Sequence, residues 1–88
     1  MPQTQPAEDE QLAAYPAAIQ QVIRSEAHAW FYDDTKPAMQ MYDSHVAWAR
    51  KLTPEQRRHH RSGAWYANQS LKAAAIALVQ QEAGDPTD

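Results

Sequence analysis

Residues 33–56 have the sequence DDTKPAMQMYDSHVAWARKLTPEQ. This stretch contains one predicted helix, the signal that starts it and the signal that starts the next helix. The acids and the threonine at positions 33–35 supply capping side chains, and Pro37 suits a first helical turn. The apolar residues that follow form two adjacent lines on a helix surface: Met41, His45, Trp48 and Leu52, and beside them Ala38, Tyr42, Val46 and Ala49. Because this face is wider than a surface helix needs, we predict a helix from about Lys36 to Lys51 near the centre of a bundle.

The second start signal is Thr53-Pro54-Glu55-Gln56. Thr53 as the N-cap, Pro54 at the first helical position and Gln56 three residues after the cap make a capping box. We expect the helix that begins there to end before Gly84, since glycine tolerates the left-handed backbone of a helix C-terminus. The sequence leaves open whether Ser62-Gly63 interrupts this helix, because a glycine in a helix interior costs about 1 kcal/mol relative to alanine.

Upstream, apolar residues between Leu12 and Trp30 recur at intervals of three and four, which predicts an amphipathic helix. Pro16 interrupts the pattern, because proline lacks an N–H and clashes with the preceding helical turn. Either the helix starts near Tyr15, or a short preceding helix meets it at a kink. Residues 1–8 show no apolar periodicity and are expected to be a disordered leader.

The chain as a whole is predicted to be all-α, a small bundle of three or four antiparallel helices, because no segment shows the alternating pattern of a strand. We assign residues 1–8 to the leader, 9–84 to a single helical domain and 85–88 to a C-terminal tail. Leucine, isoleucine, valine and phenylalanine together number only 11 of 88 residues, whereas alanine alone numbers 17. Alanine faces let helix backbones approach closely, so we expect close-packed helices around a thin core.

The composition favours a cytoplasmic protein. The chain has no cysteine, whereas small secreted domains normally depend on disulfides. Its first residues lack the basic region and apolar run of a signal peptide, and no stretch approaches about 18 consecutive apolar residues. We therefore expect a soluble protein that does not contact a membrane.

Residues 50–61, here named the basic segment, hold five of the eight lysines and arginines and only one acid, Glu55. The cations are Arg50, Lys51, Arg57, Arg58 and Arg61, and His59 and His60 lie among them. The segment carries a formal charge of +4, although the whole chain carries −3. Such an imbalance steers an anionic partner to one face, so we predict that the segment binds an acidic protein or phosphate groups.

Nucleic acid is an alternative partner for the same segment. A helix from Pro54, a turn at Ser62-Gly63 and a second helix onward to about residue 83 would resemble a helix-turn-helix. Tyr66, Asn68, Gln69 and Lys72 would then face the bases and phosphates. The second helix is rich in alanine rather than in basic residues, which weakens this interpretation.

Two aromatic runs, Trp30-Phe31-Tyr32 and Trp65-Tyr66, are the other candidate contacts. Three successive residues on a helix sweep about 200°, so a small bundle cannot bury all three rings against one core. At least one ring should face outward in the first run, and the same argument applies to the second. Exposed tryptophan and tyrosine are typical anchors of protein interfaces.

No catalytic, metal or cofactor site is predicted. Asp43-Ser44-His45 contains the residue types of a hydrolase triad, but neighbouring residues on a helix point in different directions. The adjacent His59 and His60 diverge by about 100° and cannot chelate one ion as an i, i+4 pair does. With only two glycines, the chain also lacks a phosphate-binding loop.

These patterns together predict a small non-catalytic protein, an adaptor, inhibitor or regulatory subunit, that contacts an acidic partner protein. The predicted contact residues are Trp30, Tyr32, Arg50, Lys51, Arg57, Arg58, His60, Arg61, Trp65 and Tyr66. A nucleic-acid-binding regulator that uses residues 54–83 is the alternative. A third hypothesis is a self-assembling structural protein, with a homodimer as its simplest form, because association would bury surface that one thin core leaves exposed.

Overall fold

The structure of the chain is a computed structural model that describes residues 6–32, 34–62 and 70–86. These residues form five α-helices: α1 Pro6–Ala13, α2 Ala17–Trp30, α3 Thr35–Arg50, α4 Pro54–Ser62 and α5 Ser70–Ala83. No strand occurs in the described ranges. The all-α prediction is therefore confirmed, and the predicted number of three or four helices is wrong. None of the helices in the described part of the chain is long and apolar enough to cross a membrane.

The fifth helix arises at Pro16, where the chain forms two helices rather than one. Pro16 has an extended backbone, with φ −57° and ψ 151°, and it is the N-cap of α2. Of the two alternatives for this region, a short preceding helix is the correct one. Helix α1 begins at Pro6, within the segment that the sequence assigns to the leader.

Helix α3 lies at the centre, since it packs against α1, α2 and α5. Its N-cap is Asp34, whose Oδ1 accepts a hydrogen bond from the backbone N–H of Lys36 at 3.1 Å. The cap satisfies one of the backbone donors that a helix N-terminus leaves without an intrahelical partner. The capping residues and the extent of this helix agree closely with the sequence prediction.

The core is small and contains several alanines. Its largest fully buried side chains are Leu12, Ile23 and Ile76, and four alanines of α2, α3 and α5 are also completely buried: Ala27, Ala38, Ala49 and Ala75. Small side chains at these positions leave room for close approach between helices, as the composition predicts.

Short-range signals set the ends of α4 and α5. The capping box is present: the Gln56 N–H donates to Thr53 Oγ1 at 3.1 Å, and the Thr53 N–H donates to Gln56 Oε1 at 2.9 Å. Helix α4 ends at Ser62, and Gly63 lies outside the described residues. Gly84 has a left-handed backbone with φ 70°, and the Asp85 N–H donates to the Gln80 carbonyl at 2.9 Å, which is a Schellman motif. This motif holds Asp85 beside α4.

Candidate functional site

The most buried cation of the basic segment is Arg57. Its guanidinium forms a two-pronged ion pair with Asp85, with Nε to Oδ2 at 2.6 Å and Nη2 to Oδ1 at 2.8 Å. The two side chains are only 6% and 4% exposed. Arg57 Nη1 also donates to the Ala49 carbonyl in the last turn of α3 and to the Leu52 carbonyl just beyond that helix.

Arg57 was predicted to contact a partner. The chain's own groups surround its guanidinium, and a partner contact there stays a prediction. The hydrogen bond from Arg57 lowers the pKa of Asp85, and the same bond raises the pKa of Arg57. Both groups are therefore charged at neutral pH. Asp85, the first residue of the predicted C-terminal tail, thus pairs with a buried residue of α4.

Arg50 is the second paired cation of the segment. Its Nε and Nη2 both donate to the Glu82 carboxylate of α5, at distances between 3.1 and 3.3 Å. Unlike Arg57, Arg50 is exposed, and so is Glu82. When Glu82 and Asp85 are counted with the basic segment, its formal charge falls from +4 to +2. The field toward an anionic partner is correspondingly weaker than the sequence predicts.

The cations Lys51, Arg58 and Arg61 remain exposed. Arg61 Nη1 donates to the neutral Oε1 of Gln80 at 2.9 Å, so this bond leaves the positive charge of Arg61 in place. Lys51 and Arg61 therefore keep part of the basic segment cationic at the surface.

His60 belongs to a ring cluster between α3, α4 and α5. Its imidazole contacts the Trp48 ring edge to face, with 5.0 Å between centroids, and the His59 ring at 5.6 Å. The Lys72 ammonium lies 5.1 Å from the Trp48 ring centroid. Burial, and then the charge of Lys72, lower the pKa of the nearby His45. His60 is half-buried among these contacts, and its predicted contact with a partner stays a prediction.

Trp48 was not predicted to be a site residue, and Lys72 was predicted only as a contact to nucleic acid. Trp48 follows the apolar line of α3, so its pattern indicated a core residue. Trp48 and Lys72 are 24 positions apart, so no local pattern in the sequence predicts their contact.

Trp30 and Tyr32 are here named the aromatic end of the molecule. Trp30 is the last residue of α2, and Tyr32 lies in the connection to α3. Trp30 is 59% exposed and Tyr32 is 94% exposed, whereas Phe31 packs against the core. The prediction that at least one ring of this run faces outward is confirmed, because two do. Trp65 and Tyr66, also predicted as contacts, lie outside the described residues.

Tyr32 has a positive φ of 54°. The left-handed region costs an L-residue with a β-carbon roughly 1–2 kcal/mol, which is why glycine or asparagine usually occupies it. Tyr32 follows the last turn of α2, where the Phe31 N–H donates to the Ala27 carbonyl at 2.7 Å. The chain thus holds a large aromatic side chain in water on a strained backbone.

The basic segment and the aromatic end form two separate surfaces. Tyr32 precedes α3 and Lys51 follows it, and a helix of 16 residues is about 24 Å long. The contacts of Arg57 and His60 are with the C-terminal half of α3, which keeps α4 near that end. A partner that touches both surfaces must therefore extend along most of α3.

The remaining candidates for chemistry lie apart from one another. Asp43 accepts a hydrogen bond from the Tyr15 hydroxyl at 2.9 Å. Among the described residues, no three histidine, aspartate or glutamate side chains lie close enough together to hold a metal ion. No family model, curated protein or solved structure matches this chain, so the contacts above are the basis for inferring its function.

Proposed function

We propose that this chain is a small non-catalytic adaptor, inhibitor or regulatory subunit that binds a partner protein through its aromatic end. The observation that carries the proposal is Tyr32, which is 94% exposed on a left-handed backbone. Trp30 adds a second exposed ring on the same turn.

Folding alone does not account for this arrangement. A ring that stays in water contributes almost no burial to stability, and the positive φ of Tyr32 opposes folding. Residues held in such backbone conformations are concentrated at binding and switching sites. Tryptophan and tyrosine are also enriched among the residues that dominate the binding energy of protein interfaces.

The exposed cations of the basic segment supply the second part of the proposal. Lys51 and Arg61 would face acidic side chains of the partner, and their main effect would be on the rate of encounter. Arg50 contributes less, because Glu82 already balances its charge. The partner is therefore expected to be acidic where it meets α4 and apolar where it meets the aromatic end.

Nucleic acid is less well supported as the partner. Phosphate binding depends on the number of available cations, and Arg57 is buried against Asp85. The Lys72 ammonium, which a helix-turn-helix would direct to phosphate, lies over the Trp48 ring. Binding to DNA or RNA that weakens steeply as salt rises would favour this alternative.

Quantitative affinity capture from the native host tests the proposal. The wild-type chain is compared with a Trp30→Ser, Tyr32→Ser double variant and with Met41→Ser, a control that removes another exposed apolar side chain from α3. We expect the wild type and Met41→Ser to recover the same partner and the double variant to lose it. Recovery of that partner by all three chains would refute the aromatic end as the contact.

Sedimentation of the purified chain separates binding to a partner from self-assembly. The proposal predicts a monomer at micromolar concentration. A dimer that dissociates in the Trp30→Ser, Tyr32→Ser variant would instead show that the aromatic end joins two copies of this chain.

A further inference from the structure

A pocket of about 280 Å³ lies where the junction of α1 and α2 meets α3 and α5. Its apolar walls include Pro16, Val46 and Leu78, and its polar groups come from Tyr15, Tyr42 and Asp43. The pocket is near the lower end of the volumes that small-molecule sites have, which suits a ligand with one ring or a short chain. Arg50 is the one lining residue that the pocket shares with the basic segment, and the pocket shares none with the aromatic end.

Tyr42, one of the residues that line this pocket, has a polar atom without a partner among the described residues. Tyr42 is 2% exposed, and its buried hydroxyl makes no hydrogen bond within the described residues. Buried polar groups are nearly always hydrogen-bonded, because leaving one unpaired loses its interactions with water without replacement. The Tyr42 ring is held edge to face against Tyr15, with 5.6 Å between centroids. A ligand that donates an N–H to the Tyr42 oxygen would satisfy this group.

The charge of the pocket selects the class of ligand. Asp43 accepts one hydrogen bond, from Tyr15, and a carboxylate has room for further donors. Arg50 directs two of its nitrogens to Glu82, which balances its charge. Burial raises the pKa of Tyr42, and burial together with the bond to Asp43 raises the pKa of Tyr15 to about 12, so both phenols are neutral. Asp43, Arg50 and Glu82 leave a net charge of −1 beside the pocket.

We infer that this pocket binds a small primary amine in its ammonium form. The ammonium group pairs with Asp43 and donates a hydrogen bond to the Tyr42 hydroxyl, and its third N–H faces solvent. The carbon part of the amine packs against Pro16, Val46 and Leu78. An anionic ligand is disfavoured, because Asp43 would repel it and the Arg50 charge is already paired.

Nuclear magnetic resonance titration of the full-length chain tests this site. Benzylammonium chloride is the probe, and sodium benzoate, which has a similar shape and the opposite charge, is the control at equal ionic strength. We expect saturable shifts of the Ala14, Val46 and Leu78 amide signals with benzylammonium and none with benzoate. Absence of saturable shifts with benzylammonium, or equal binding of benzoate, would overturn the inference.

Three single substitutions sharpen the test. Asp43→Asn should weaken benzylammonium binding by about tenfold or more, because it removes a charge-assisted hydrogen bond. Tyr42→Phe should weaken binding by about threefold or more without lowering the melting temperature, since the lost hydroxyl has no partner among the described residues. Glu55→Gln removes an acid outside the pocket and should leave binding unchanged.

Each variant has a result that contradicts the site. Asp43 is exposed, so the Asp43→Asn variant should remain folded. Its affinity for benzylammonium therefore shows whether the Asp43 carboxylate binds the amine. Equal weakening by Asp43→Asn and Glu55→Gln would show a general charge effect rather than a pocket. Wild-type affinity in Tyr42→Phe would show that the hydroxyl does not contact the amine.

Discussion

Arg50 and Arg57 have similar partners and different surroundings. Each donates two nitrogens to a carboxylate near the end of α5, Glu82 for Arg50 and Asp85 for Arg57. The exposed pair is solvated and contributes little, whereas the Arg57 pair is buried, and Arg57 also donates to the carbonyls of Ala49 and Leu52. Removing one partner of a buried pair leaves the other charge without compensation.

Arg57→Ala is therefore expected to lower the thermal unfolding midpoint far more than Arg50→Ala does. Arg57→Lys should restore little of the loss, since an ammonium cannot reproduce the two-pronged geometry or reach both carbonyls at once. Circular dichroism melts of the three variants beside the wild type provide the measurement. Equal midpoints for Arg57→Ala and Arg50→Ala would contradict the structural role of Arg57.

A second prediction at this scale concerns Tyr32. Tyr32→Gly should raise the free energy of unfolding by about 0.5–1 kcal/mol, because glycine relieves the left-handed backbone but loses more entropy on folding. Tyr32→Ala is the matched control, since it removes the ring and keeps the β-carbon. Urea denaturation should place Tyr32→Gly above both other chains. Equal stability of the glycine and alanine variants would show that the backbone at this position is not strained.

At the scale of elements, the end of α5 determines where Asp85 lies. The Schellman motif needs a left-handed residue at Gly84, and it turns the chain so that Asp85 meets α4. The capping box fixes the first turn of α4, and Arg57 lies at the end of that turn. Two local motifs thus bring the two halves of a long-range ion pair together.

Gly84→Ala tests this motif. A β-carbon at this position would meet no atom within 4 Å, so the expected cost of about 1–2 kcal/mol comes from the left-handed backbone alone. Gly84→Asn should lose less, because asparagine tolerates this conformation. Urea denaturation measures both variants. A stability of Gly84→Ala equal to that of the wild type would contradict the positive φ.

For the whole molecule, the Asp85 ion pair predicts how stability depends on pH. Its folded pKa lies below its ordinary value of 3.8, first because Arg57 donates a hydrogen bond to it. The contribution of this ion pair to the free energy of unfolding is complete above about pH 4. It is lost as the pH falls through the lower pKa that Asp85 has in the folded chain. Melting temperatures should therefore fall below about pH 4, and the Asp85→Asn variant should lose less stability over that range. Parallel curves for the two chains would show that Asp85 does not stabilise the fold at neutral pH.

Several features of the fold were predictable because they depend on neighbours within one or two helical turns. Asp34 caps α3, Thr53 and Gln56 cap α4, and Gly84 ends α5, all as capping chemistry predicts. That at least one ring of the first aromatic run faces outward was also predictable, because three successive rings cannot share one face of a helix. The helix ends at Trp30, however, so the left-handed backbone of Tyr32 was not predictable in this way. The number of helices was wrong because proline permits both a kink and a complete break, and packing selects between them.

The amino-acid sequence by itself determined that this protein is helical, where α3 and α4 begin, and that part of its first aromatic run faces water. Only the tertiary structure decided which cations of the basic segment reach the surface. Arg57 and Asp85 are 28 residues apart, and Arg50 and Glu82 are 32 residues apart. Helix caps act over three or four residues, whereas charge pairing depends on which helices pack together, so a run of like charges in the sequence does not establish a charged surface.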